Sequence, residues 1–112
     1  MTSKTDRKSA IRGKRRVPKE VYPVRFENIL LTAPTNRMGR VVALDATSGK
    51  PLWSVLLYRV IYHPGLESDI QDDYISELLV NNRQLFARTE KNHFFQLDLD
   101  SKIAQPLPAG VG

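Results

Sequence analysis

Residues 40–53 read Arg40-Val41-Val42-Ala43-Leu44-Asp45-Ala46-Thr47-Ser48-Gly49-Lys50-Pro51-Leu52-Trp53, a strand, a tight turn and the start of a second strand. Val41 to Leu44 favour a pleated, half-buried surface through their branched and apolar side chains. Asp45 can accept hydrogen bonds from the amides just ahead of it, and Gly49 takes a positive φ at no steric cost. The turn therefore closes over Ala46–Gly49. Pro51 has no amide hydrogen to give to a ladder, so it belongs at the first position of the second strand.

A weaker copy of this stretch follows. Phe94 to Lys102 aligns with Val41 to Gly49 at a shift of 53 residues. With one further gap, Leu31-Thr32-Ala33-Pro34-Thr35 aligns with Leu85-Phe86-Ala87-Arg88-Thr89. Repeats of this length point to stacked supersecondary units. Alternation puts Val42 and Leu44, or Phe95 and Leu97, on one face, with Asp45 or Asp98 on the other. Lys102 stands where the turn glycine would recur, and Pro106 where Trp53 would.

The segment from Val41 to Trp53 resembles one repeat of the quinoprotein-type (PQQ-like) β-propellers. Ala43, Leu44, Asp45, Ser48, Gly49 and Trp53 fill that repeat's alanine–leucine–aspartate, hydroxyl, glycine and tryptophan places. The resemblance covers about a quarter of the chain. It implies that Trp53 docks between neighbouring blades, as a structural residue. A whole propeller needs about four to eight blades, more than 112 residues supply, so the family's cofactor chemistry, which uses a ring of blades, does not carry over. The run from Tyr62 to Ile75 is similar to a group of small stand-alone bacterial proteins with a Tyr-Asp-Pro…Leu-Glu…Asp-Val-Gln-Asp pattern. This chain has His63 where those have aspartate. That likeness implies fold and single-domain status only.

Six antiparallel strands are predicted: 24–31, one starting at Arg40, 52–62, 74–80, 85–89 and 94–99. The expectation is an all-β meander in a small barrel or a partial propeller-like sheet. The third strand is unusual, because both of its faces are largely apolar, whereas a strand buried on one side alternates clearly. It is therefore read as central, or as meeting another chain on one face. Residues 64–73 form an acidic connection in which Leu66, Ile70 and Tyr74, spaced by four, allow a short helical turn. Residues 21–103 are read as one domain, 1–20 as a flexible arm and 104–112 as a loose tail.

Charge is segregated. Residues 1–20 carry eight Lys/Arg against Asp6 and Glu20, a balance of +6, while residues 21–112 carry nine Lys/Arg against ten Asp/Glu, a balance of −1. The arm is low in apolar content and lacks periodicity, the composition of a disordered segment. Lys8, Arg12, Lys14, Arg15 and Arg16 are its candidates for contacting phosphates, through sequence-independent, salt-sensitive attraction. No aromatic residue sits among them to stack on bases, so nucleic-acid binding is not the favoured reading. With no cysteine, disulfides and thiolate metal sites are excluded. No apolar run approaches the roughly 20 residues of a membrane span. The basic start lacks the apolar core of a secretory signal, and a cytoplasmic location is expected.

Catalytic chemistry finds little purchase. Glu67, Asp69, Asp72 and Asp73 form a carboxylate cluster, yet their spacing lacks the alternation, glycine and closing glutamate of a calcium loop. They are read as a solvated acidic loop. His63 and His93 have no second ligand at helical or alternating spacing. Neither a nucleophile elbow nor a phosphate-binding glycine loop is present. Thr47 and Ser48 lie in a turn with no basic partner nearby in sequence. The aromatic residues Trp53, Tyr58, Tyr62 and Phe95 are read as core. Phe94 shares a face with Gln96 and Asp98, so it is exposed or at an interface. The expectation is a non-enzymatic interaction domain without cofactor or metal. It acts as a homodimer or with a protein partner through Trp53, Leu57, Arg59 and Phe94.

Overall fold

The computed structural model describes residues 18–108. Eight antiparallel strands among them make two four-stranded sheets. The first sheet holds β1 (Val24–Phe26), β2 (Ile29–Thr32), β3 (Arg40–Asp45) and β4 (Pro51–Leu56), each paired with the next. A one-turn helix, α1 (Ser68–Gln71), lies in the connection to the second sheet. That sheet holds β5 (Ile75–Asn81), β6 (Gln84–Thr89), β7 (Phe94–Asp98) and β8 (Ala104–Leu107), again in chain order. The all-β meander expected from the sequence is present, as two open sheets.

The Arg40–Trp53 turn forms as its residues dictate, and it recurs. Asp45 Oδ1 accepts from the amides of Thr47 (2.8 Å) and Ser48 (3.0 Å), while the Asp45 carbonyl accepts from Gly49 (2.8 Å). In the second sheet Asp98 Oδ1 accepts from Asp100 and Ser101, both at 2.9 Å, and the Asp98 carbonyl accepts from Lys102 (2.8 Å). Lys102 takes φ 64° where Gly49 takes 79°. Every partner matches at a shift of 53 residues.

The repeat extends to both first hairpins, at a larger shift. Phe26 pairs Ile29 and Val24 pairs Leu31 in one sheet; Asn81 pairs Gln84 and Leu79 pairs Phe86 in the other. Those pairs correspond at a shift of 55, so the one-residue gap expected between Leu31 and Leu85 is corrected: Leu31 corresponds to Phe86. The two-residue difference lies in the turn before the third strand of each sheet: Thr32 pairs Val42, ten residues on, whereas Ala87 pairs Phe95, eight residues on. Residues 24–31 are also not a single strand. Glu27, at φ 55°, and Asn28 turn the chain back into a hairpin. In the outer strand, Leu44 pairs Pro51 but Ala43 pairs Trp53, so Leu52 is an extra residue in a bulge. Gln105, which pairs Gln96, is therefore the counterpart of Trp53, and Pro106 that of Ser54.

Two further expectations need correcting. The apolar run 52–62 is neither a central strand nor one long strand. Its first half is β4, at the edge of the first sheet, and its second half is a connector without a ladder. The tail from Ala104 begins with β8, an edge strand that tolerates Pro106 because an edge position needs no amide from it.

The core lies between the sheets. Leu31, Val41 and Ala43 from the first sheet meet Ile75, Leu78, Leu85, Ala87 and Leu97 from the second, with Trp53, Val55 and Val24 packed against them. The Asp98 turn carries a pH signature. Amide hydrogen bonds from Ser101, then the Gln84 side chain and the Asp100 amide, hold its carboxyl down to about 2. The native pKa is depressed, so this contribution is complete above the ordinary value of 3.8 and disappears as pH falls to about 2. Acid titrations of stability are expected to lose slope in that window in Asp98→Asn relative to the unsubstituted chain. Identical slopes would mean that the turn does not take up a proton as the fold opens.

Candidate interaction surface

The connection between the sheets fixes how they meet. Gly39, at φ 81°, accepts the Leu57 amide at 2.7 Å and brings the connector against the turn before β3. Tyr58 then stacks on Phe95, with centroids 4.8 Å apart and planes 16° from parallel. Its hydroxyl donates to the Asp73 carbonyl. Burial, reinforced by the Asp73 carboxylate, pushes the Tyr58 phenol well above its ordinary value. The Gln71 amide clamps the loop below. Its oxygen accepts from the His63 amide at 2.6 Å, and its nitrogen donates to the carbonyls of His63, Leu66 and Glu67, each at 3.3 Å.

The solvated acidic loop of the sequence reading is half wrong. Asp72 and Asp73 are buried. Asp72 accepts from the hydroxyls of Tyr62 and Tyr74. Asp73 accepts from Thr89 Oγ1 (2.9 Å) and the Lys91 amide (3.0 Å), and its Oδ2 lies 2.7 Å from His93 Nδ1. These bonds join the connector and the β6–β7 turn, so both carboxylates are parts of a joint. Among the described residues, no three His, Cys, Asp or Glu side chains are grouped to hold a metal.

The rim of the joint is stapled by cations. Arg83 meets Asp100 through two nitrogens, Nη2 at 2.7 Å and Nε at 2.9 Å from its oxygens. It also meets Glu27 of the first sheet at 2.7 Å and lies over the Phe26 ring. Hydrogen bonds donated to Asp100 and then to Glu27 hold its guanidinium more firmly charged than usual. Lys102 places its ammonium 4.8 Å from the centroid of the Trp53 ring, a cation–π contact. The left-handed Lys102 thus supplies a side chain that glycine could not.

The face of the second sheet turned away from the joint is a different surface. Glu77, Leu79, Phe86, Arg88, Phe94 and Leu107 line an open trough of about 330 Å³. Leu79 is 61% exposed, and Arg88 pairs Glu77 at 3.0 Å along one side. This face is the repeat counterpart of the one the first sheet buries. By the register, Leu79 corresponds to Val24, Phe86 to Leu31, Phe94 to Val41 and Leu107 to Val55. Conversely, Leu30 and Leu44 on the first sheet's outward face correspond to Leu85 and Leu97, which the second sheet buries.

The residues singled out from sequence are thus divided. Trp53 and Leu57 pack at the joint between the sheets, Arg59 is exposed on the connector, and Phe94 lies in the outward trough. The structure does not bring them together. Lys8, Arg12, Lys14, Arg15 and Arg16 lie outside the described residues. Sequence reasoning missed Leu79, Phe86 and Leu107; their period-2 placement beside Phe94 was the available signal, hidden because β8 looked like a tail.

No family model and no curated protein matches this sequence. Among solved structures, BamB from Moraxella catarrhalis, a PQQ-like β-propeller, is similar, with a TM-score of 0.56 and 22% identity. The match covers 76% of this chain and 25% of that one, so this chain spans about a quarter of the structure it matches. At this identity the likeness concerns the fold. It supports a propeller-like arrangement in which the two sheets stand as blades.

Proposed function

We propose that this chain is a non-enzymatic protein-interaction module, a pair of propeller-like blades whose outward trough around Leu79, Phe86, Phe94 and Leu107 receives a protein partner. The observation that carries the reading is the correspondence of that trough with the first blade's buried face. A surface with the register and apolar character of a blade interface is left open. Apolar surface of this kind, rimmed by an ion pair, is typical of protein contact sites. The propeller-like fold, and the filling of both buried carboxylates by neighbouring donors, agree with a binding role.

A photo-reactive phenylalanine analogue placed at position 79 in expressing cells tests it. The expected result is a discrete protein adduct that an analogue at the exposed Glu67 does not give. Equal labelling at the two positions, or none at 79, would sink the reading.

A further inference from the structure

We infer that the trough's occupant is a second copy of this chain, which presents the outward face of its first blade, around Leu30 and Leu44. This inference rests on the interaction reading above and specifies its partner. The joint already inside the molecule supplies the geometry. There, the first blade's face bearing Val24, Leu31, Val41 and Val55 packs on the second blade's face bearing Leu85, Ala87 and Leu97. Each outward face is the repeat counterpart of one of these two, position by position. The rotation that carries the first blade onto the second therefore carries the second onto the first blade of another copy. The new joint repeats the old one.

The counterparts also show how the two joints differ. The apolar side is bulkier at the open face, where Leu79, Phe86 and Phe94 stand for Val24, Leu31 and Val41. The polar staples are missing there. Asn82 and Asn28 stand for Glu27 and Arg83, and Gln105 and Gly49 stand for Trp53 and Lys102. Contact between copies is thus driven by apolar burial, without the ion pair and cation–π contact of the in-chain joint. Such a front-to-back contact is heterologous, and it closes when the rotation completes a circle. Rings of about four to eight blades are those known to close, which with the two blades of the described residues means two to four copies.

The test is the mass of the purified full chain in sedimentation at about 100 μM. The expected mass is two to four times the 12.8 kDa of one chain. Leu79→Glu, on the second blade, and Leu30→Glu, on the first, should each weaken self-association by about 100-fold or more by setting a charge into an apolar contact. Mixed together, they should give a one-to-one dimer, because each variant keeps the face that the other has lost. If Leu30→Glu does not fold, as judged by circular dichroism, the photo-reactive analogue at position 79 replaces it. In the purified chain it should label the segment of a neighbouring copy that contains residues 30–44. A monomer, an oligomer that Leu79→Glu leaves intact, or a mixture that stays unpaired overturns the inference. An adduct in cells with a different protein, alongside a monomeric purified chain, would overturn it while leaving the interaction reading in place.

Discussion

Asp73→Ala is expected to lower the unfolding free energy by about 3 kcal/mol, a fall in Tm of about 15 °C for a domain this small. Urea and thermal denaturation read by circular dichroism would measure it. The carboxylate is 7% exposed and takes the Thr89 hydroxyl, the Lys91 amide and the His93 ring nitrogen at 2.7–3.0 Å. Alanine removes the acceptor and leaves its donors behind, and Thr89 is fully buried. Unmatched buried donors cost more than the net worth of a hydrogen bond, because no water replaces the lost partner. The His93 ring, by contrast, is 63% exposed, so His93→Ala should cost about 1 kcal/mol or less. The order of the two values is the decisive feature. If His93→Ala were as damaging as Asp73→Ala, the contact with the His93 ring rather than the bonds to Thr89 and Lys91 would hold the joint.

Gly39→Ala is expected to be of similar severity, about 3–4 kcal/mol, from two independent causes. A left-handed backbone costs a side-chain-bearing residue about 1–2 kcal/mol, and Gly39 sits at φ 81°. In addition, a β-carbon there would lie 2.4 Å from the Tyr58 carbonyl oxygen. Relief of that clash must move the connector, and with it the Leu57 bond to Gly39 and the Tyr58 stack on Phe95. Gly49 provides the control. It has nearly the same φ but nothing within 4 Å of a β-carbon, so Gly49→Ala should cost only the backbone share, about 1–2 kcal/mol. Equal losses at the two glycines would show that the close approach of Tyr58 is absorbed without penalty.

The hairpin at Arg40–Trp53 was legible because its information is local. An acceptor at Asp45, a glycine at the left-handed position and branched residues before them specify one turn. The same grammar at Asp98–Lys102 was readable despite the missing glycine. The first hairpin was not, since Glu27 is no usual turn residue and nothing around it forbids a continuous strand. Strand β8 was hidden by Pro106, which signals irregular chain everywhere except on an edge. The stretch 57–63 misled for another reason. Its two largely apolar faces looked like those of a buried strand, yet Leu57 and Tyr58 serve tertiary packing against residues far along the chain. Burial of Asp72 and Asp73 depends on donors at Tyr62, Thr89 and His93, a meeting that no local window reveals. The outward trough could be read only in part. Phe94 stood out by its polar face-mates, but its neighbours became visible once β8 and the register were known.

The described strands also bear on how the molecule is made. Each ladder joins segments that are adjacent in the polypeptide, with no crossover, so each sheet can form hairpin by hairpin on the scale of about 1–10 μs per hairpin. Among the described elements, bringing the two sheets together then needs the longest search, so it is expected to come late. Bonds formed that late govern how long the native state persists far more than how quickly it is reached.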